Sequence, residues 1–313
     1  MGLTAAITGG TGFIGSECAK ALRSNGAIRF IPAPRFRAGA RSVSGLRAAI
    51  EPREVDRYAE RYLDGVDVIV NAAGNSGATS TDLSSLLGAN TVLPFFLARA
   101  GAAAGVARLV HISSAAVQGR MTLSESEKLQ PENHYAMSKA LGEVLLRDED
   151  ALEIVRYRPT SVQGPNRAVT KALLRLAQSP MAVVAAPGND PSPQMPVRRA
   201  AEAVRLMVES TEPLPPVVLH PWEGATTRSV LADLGDREPR MMSWQAARRA
   251  KEMFYAVGTG VGGVRAYARR LDMMLFGQEQ ADGWLSPRLG PLPFHWLLDL
   301  RSETLAEMQG QRI

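Results

Sequence analysis

The chain has 313 residues, an apolar fraction of 45% and a net charge of +5, which excludes intrinsic disorder and suits either one large α/β unit or a nucleotide domain with a smaller appendage. A single cysteine excludes an internal disulfide and a cysteine-rich metal site, and His111, His134, His220 and His295 lack ligand spacing, so no metal is expected. Much of the positive charge is arginine between Arg35 and Arg61, but 6% aromatics and no nucleic-acid module make it surface charge and a local phosphate pocket, with no nucleic-acid partner.

In chain order, Leu3 to Ile7 predicts an apolar strand so near Met1 that no leader is expected before it. Thr8-Gly9-Gly10-Thr11-Gly12-Phe13-Ile14-Gly15 follows at once, and a helical pattern through Cys18, Ala19, Ala21 and Leu22 begins behind it. Strand, glycine turn and helix in this order aim free backbone N–H groups and a positive helix end at a pyrophosphate. Cys18 lies on the apolar face of that helix as a packed thiol. Ala27 to Ala33 predicts a second strand, whose end is where NAD users place an acid for the ribose hydroxyls. Ala33 has no carboxylate, and Arg35 and Arg37 follow with guanidinium forks that fit a 2′-phosphate. NADP(H) is therefore favoured, with NAD(H) left open.

Val66 to Val70 predicts a strand running into Asn71-Ala72-Ala73-Gly74, and Ala89 to Ala104 a helix rich in small residues with Asn90 near its start. Arg108 to Ile112 predicts a strand ending in Ser113-Ser114, Asn133 to Leu146 a helix, and Ile154 to Tyr157 a strand stopping at Arg158-Pro159. Strands alternating with helices imply right-handed crossovers and a Rossmann-type, doubly wound parallel sheet. From Gly164 the alternation fades. Pro187 to Pro196 reads as a loop on a pocket rim, and a helix at Val197 to Glu209 and a strand at Val217 to His220 return to the sheet. The expected division is a dinucleotide-binding domain over 1–164, completed by 197–220, and a smaller, mainly helical, discontinuous substrate portion over 165–313. Arg265, Arg269 and Arg270 read as a solvated helix face, and the apolar cluster from Pro291 to Leu298 as the closure of a small core. No apolar stretch is seen to approach the ~20 residues of a membrane span, so a cytoplasmic protein with no membrane contact is expected.

Tyr135 and Lys139 stand four apart on a predicted helix, so their side chains share a face and can meet one ligand. A phenol ionises near pH 10, and a nearby ammonium favours the phenolate that acid–base work near neutrality requires. Ser114 ends a strand at the edge where open parallel sheets bind ligands, and its hydroxyl can bond a carbonyl oxygen there.

With Thr8 to Gly15, Ser113-Ser114-Ala115-Ala116-Val117-Gln118-Gly119, Tyr135-Ala136-Met137-Ser138-Lys139 and Arg158-Pro159-Thr160-Ser161-Val162-Gln163-Gly164-Pro165 in place, the chain resembles the extended short-chain dehydrogenase/reductase family over roughly residues 1 to 210. That group includes nucleotide-sugar epimerases, dehydratases and ketoreductases. The resemblance implies that Tyr135 is the general acid/base, Lys139 its partner and ribose anchor, and Ser114 the carbonyl-orienting hydroxyl. It places the pyrophosphate against Gly9, Thr11, Gly12, Phe13, Ile14 and Gly15, the adenine ribose against Asn71, Ala72, Ala73 and Gly74, and the nicotinamide against Pro159 and Ser161. It also implies a homodimer through the helices Ala89 to Ala104 and Asn133 to Leu146.

Departures from the family pattern narrow this. Dehydratases carry an Asp-Glu pair where Ala115 and Ala116 stand, so dehydration is disfavoured, and 4-epimerases usually carry asparagine and tyrosine where Ser161 and Gln118 stand. The expected function is reduction of a keto group by NAD(P)H, with the 4-keto carbon of a nucleotide-activated sugar as the leading substrate. A nucleotide-sugar 4-epimerase and a dinucleotide-sensing regulatory protein are the alternatives. Arg167, Lys171 and Arg228 are candidates to neutralise a diphosphate, and Trp222 to stack on a base.

Overall fold

The computed structural model describes residues 2–23, 26–39, 42–77, 82–257, 271–290, 292–293 and 295–310. In order, the first half runs β1 (Leu3–Thr8), α1 (Phe13–Leu22), β2 (Gly26–Phe30), α2 (Val43–Arg47), α3 (Pro52–Tyr62), β3 (Val68–Asn71), α4 (Leu83–Leu87), α5 (Leu93–Ala103), β4 (Arg108–Ile112), α6 (His134–Arg147) and β5 (Glu153–Arg158). The second half adds β6 (Ser161–Gln163), α7 (Ala168–Ala177), β7 (Val183–Ala185), β8 (Gln194–Pro196), α8 (Val197–Glu209), β9 (Val217–Leu219), α9 (Thr227–Gly235), β10 (Arg240–Met242) and α10 (Trp244–Val257), before a last helix at Trp296–Met308.

Six strands form one sheet in the order β2-β1-β3-β4-β5-β9, every pair parallel. The expected α/β fold is therefore present, and 197–220 does return to the sheet. Ala5, Ile7, Val68 and Val110 pack one face against α1 and α8, while Ala6, Ile69 and Leu109 pack the other against α3 and α5. Both faces of each central strand are thus covered, which is why β3 and β4 read as unbroken apolar runs. In-register pairing of Thr8 with Asn71, Asn71 with His111 and Ile112 with Tyr157 lines the strand ends along one edge.

Some expectations shift. The second strand ends at Phe30, three residues short, because Pro32 and Pro34 cannot supply ladder N–H groups. Beyond Trp222 the mainly helical chain also carries β10, which pairs with β7. The expectation that no apolar stretch nears a membrane span also needs correction, since α4, a π-helical turn at Gly88–Val92 and α5 join into a 21-residue apolar helix, Leu83–Ala103, 78% of whose most apolar stretch is buried inside the protein. Pro94 explains the π turn, because its missing N–H breaks the regular ladder there. Val92, Phe95 and Leu145 pack against Leu46 of α2. Arg265, Arg269 and Arg270, and Pro291 and Phe294 of the apolar cluster, lie outside the described residues. Trp296, Leu297 and Leu300 do close a small core with α7 and α9.

Candidate active site

The glycine turn is built as a cradle. Gly9 has a φ of +70°, and a Cβ on it would lie 2.6 Å from the Ala73 nitrogen, while one on Gly15 would lie 2.1 Å from the Gly9 carbonyl oxygen. The turn, the loop after β3 and the start of α1 therefore meet backbone to backbone. Gly12 caps α1 without a side-chain hydrogen bond, so the helix presents its first N–H groups uncapped by any side chain. These residues fit the pyrophosphate of a dinucleotide. Cys18, behind them, is buried and its thiol is pushed up to about 12, chiefly by burial, in keeping with a packed, inert group.

Asn71 supports the cradle from below: fully buried, its Oδ1 accepts from Thr8 Oγ1 at 2.9 Å and the Ala73 amide at 3.1 Å, and its amide lies 3.1 Å from His111 Nδ1. Burial, then the charges of Lys139 and Arg156, hold His111 well below its usual pKa, so it stays neutral. Ala72, Ala73 and Gly74 run beside the turn; a Cβ on Gly74 would stand 2.8 Å from Asn90 Oδ1 and 3.3 Å from Lys139 Nζ.

Asn133 caps α6, its Oδ1 accepting from the Ala136 amide at 2.8 Å. This starts the helix so that Tyr135, Lys139 and Glu143 rise on one face. The Ser114 hydroxyl accepts from the Ala116 amide at 3.2 Å, capping its own turn, and shares a cavity wall with Tyr135. Burial raises the phenol above its ordinary pKa, opposed by the Ser114 hydroxyl and by the Arg167 guanidinium. Lys139 Nζ donates to the Ile112 carbonyl at 2.9 Å, and burial lowers its pKa to about 8 against the upward pull of Glu143. The neighbouring cation that acts on the phenol here is thus Arg167, which spacing along α6 does not reveal.

Two cavities meet at this edge. The smaller, about 280 Å³, is lined by Ile14, Ser114, Tyr135, Pro159, Ser161 and Arg167 among others. The larger, about 790 Å³, runs from Thr11, Gly12 and Phe13 past Gly164 to Arg198 and Trp296. Ser76 and Arg167 line both. Arg167 donates to the Val162 carbonyl, with its guanidinium 5.1 Å from the Phe13 ring centroid. Arg35 faces neither cavity but a separate groove of about 320 Å³ with Arg57 and Arg61. Arg37 stands 3.7 Å from Asp82. Lys171, Trp222 and Arg228 line neither main cavity; Trp222 Nε1 donates to the Ala225 carbonyl, and Arg228 pairs with Glu238.

Sequence reasoning missed several residues of the site. Asn90 accepts from the Asn75 amide and donates to its carbonyl, both at 2.9 Å, and lies 3.0 Å from Ser138 Oγ. It thereby fixes the loop after β3 to α6. Met273 and Gln278 close the smaller cavity from far along the chain, where no local signal marks them.

The sequence profile of the NAD dependent epimerase/dehydratase family matches residues 5–213. No curated protein matches the sequence. Among solved structures, a UDP-glucuronic acid 4-epimerase from Bacillus cereus in complex with NAD is similar at 17% identity and a TM-score of 0.63, covering 99% of this chain and 100% of that one. The protein RMD from Pseudomonas aeruginosa, complexed with NADPH, is similar at 19% identity and a TM-score of 0.52, over 77% of this chain and 86% of its own. A dTDP-4-dehydrorhamnose reductase from Clostridium acetobutylicum is similar at 16% identity and a TM-score of 0.55, over 78% of this chain and 85% of its own. At these identities the likeness establishes the fold.

Proposed function

The chain belongs to the NAD dependent epimerase/dehydratase family, and from that premise we propose that it is an NADPH-dependent reductase of a ketone, with the 4-keto carbon of a nucleotide-activated sugar as substrate. The observation that carries the reading is that Ser114 and Tyr135 share the wall of the smaller cavity, with Lys139 one helical turn along on the same helix. When bound, the dinucleotide supplies a hydride. Thr11 to Ile14 and the open start of α1 hold its pyrophosphate, and Gly9 and Gly15 give that backbone its close approach. Ser114 donates to the carbonyl oxygen and steadies the charge that develops there. Tyr135 gives that oxygen its proton; burial keeps the phenol protonated at neutral pH, the form reduction requires. Lys139 anchors the ribose, and its ammonium, losing its charge near pH 8, is the cation on the same helix face.

Three features favour this over neighbouring chemistries. Ala115 and Ala116 both line the smaller cavity, so the carboxylates that elimination needs are absent there, and Glu132 on the same wall is paired with Arg120 at 2.7 Å. The absence of an acid at Ala33 removes the carboxylate that would repel a 2′-phosphate. The smaller cavity suits a sugar ring, with the nucleotide reaching out past Arg167 into the end of the larger groove lined by Arg198 and Trp296, away from the glycine turn.

The test is a binding titration of NADPH against NADH, followed by a screen of keto sugars with Tyr135→Phe as control. A ten-fold NADPH preference, about 1.4 kcal/mol, is expected. Tyr135→Phe is expected to lower kcat by roughly 10²- to 10⁴-fold while leaving NADPH binding intact. Tightly held, unexchangeable NAD in the purified protein would point to epimerisation. Failure of every carbonyl compound to oxidise NADPH would leave the sensing alternative.

A further inference from the structure

A chain of hydrogen bonds runs from the end of β6 to the smaller cavity, and the backbone fixes its direction. The Gly164 amide donates to Thr170 Oγ1 at 3.1 Å, and the Thr170 hydroxyl sends its own proton to Gln163 Oε1 at 2.7 Å. A backbone N–H can only donate, so the chain is read from that end. With its oxygen engaged as acceptor, Gln163 has both amide hydrogens left to give. Nε2 donates to Ser161 Oγ at 2.9 Å and to Gln194 Oε1 at 2.6 Å. Reversing the amide would set its oxygen against that of Gln194. Gln163 and Thr170 are both buried, where two opposed acceptors have no water to relieve them.

Local structure brings these groups together. The strand period of two puts Ser161 and Gln163 on one side of β6, and the parallel pairing of β6 with β8 sets Gln194 beside Ser161. Thr170 comes from the first turn of α7. Ser161 stands at the end of the chain. Its oxygen accepts from Gln163, its amide donates to the Pro193 carbonyl at 2.9 Å, and its hydroxyl proton meets no acceptor among the described residues. Half-buried, Ser161 lines the smaller cavity with Ser114 and Tyr135, whereas Gln163 lies against the larger one.

We propose that Gln163, held by Thr170, makes the Ser161 hydroxyl a dedicated donor, so that the smaller cavity selects a ligand with a carbonyl, carboxylate or phosphate oxygen at that point of its wall. A ligand offering only an N–H there would set two donors against each other. Gln163 and Thr170 are positioning residues that act through Ser161. The proposal rests on the reading of this cavity as a ligand site and adds the polarity of one wall. The acceptor oxygen belongs to the substrate or to the carboxamide of the dinucleotide, and the test separates the two.

Gln163→Glu inverts the chain from behind Ser161: a carboxylate accepts from Thr170 and Ser161 alike and draws the serine proton away from the cavity. The measurements are the Kd for NADPH by fluorescence, which needs no turnover, and kcat and KM for any carbonyl compound that the protein reduces. Ser161→Ala is expected to raise Kd or KM by roughly 2- to 10-fold, the worth of one neutral hydrogen bond. Gln163→Glu raises the same constant at least as much, and adding it to Ser161→Ala changes nothing further. A rise in Kd assigns the acceptor to the dinucleotide, and a rise in KM alone assigns it to the substrate. Either single variant leaving both constants unmoved overturns the proposal. So does a Gln163→Glu effect that persists undiminished in the Ser161→Ala background, which marks lost packing instead of a lost donor. Should Gln163→Glu not fold, Thr170→Val and Thr170→Ser decide: a loss in the first that the second escapes supports the proposal, and equal values overturn it. Should no carbonyl compound be turned over, the reductase reading fails by itself and the Kd for NADPH decides alone.

Discussion

Tyr135 carries two opposing influences that can be separated by substitution. Burial favours its neutral form, whereas the Ser114 hydroxyl and the Arg167 guanidinium favour the phenolate. In the reductive direction the proton donor must be protonated, so kcat/KM falls as pH rises through the pKa of the phenol. Removing Arg167 removes a cation that pulls this pKa down, and Arg167→Met is expected to move the alkaline limb of the profile to higher pH. The measurement is the pH dependence of NADPH oxidation; an unmoved limb would show that the guanidinium has no hold on the phenol. That Ser114 and Tyr135 share a cavity wall, with Lys139 a turn further along α6, was legible in the sequence because a strand end and helical spacing place them. Arg167 was legible only as a candidate anion partner, because its approach to the phenol depends on how the chain returns after β6. Arg37 shows the converse, since an arginine in a suitable loop can be drawn off toward Asp82.

At the scale of elements, the sheet order and the glycine cradle could be read from alternating apolar runs, because parallel strands buried on both faces write that pattern into the chain. The contact between α6 and the π turn before α5 could not, since it depends on one glycine meeting one carbonyl 52 residues away. Gly142→Ala would press a methyl group onto the Asn90 oxygen. It is expected to cost about 1–3 kcal/mol in chemical denaturation and to lower turnover as well, because Asn90 ties the loop after β3 to the helix bearing Lys139. Stability lost with full activity retained would show that this helix tolerates displacement. The fate of residues 42–50 was equally hidden. A short helix in a long connection carries little periodicity, and its destination is set by apolar surface elsewhere in the fold.

Across the whole molecule, the ends of β4 and β5 and the interior face of α6 are locked by one buried cluster. Glu143 forks onto Arg158 at 3.0 and 2.6 Å and accepts from Ser113 Oγ at 2.5 Å, with both charged side chains 0% exposed. Glu143→Gln leaves a guanidinium buried without its counter-charge, and a loss of about 3–5 kcal/mol is expected in urea unfolding. A change below 1 kcal/mol would mean that water or the Ser124 and Ser126 carbonyls around Arg158 compensate. Arg167 links the two cavities in a different way. One guanidinium and one hydroxyl, that of Ser76, form a common partition between them. An occupant on one side that repositions this wall changes what the other must meet. By thermodynamic reciprocity each then alters the affinity of the other by the same factor.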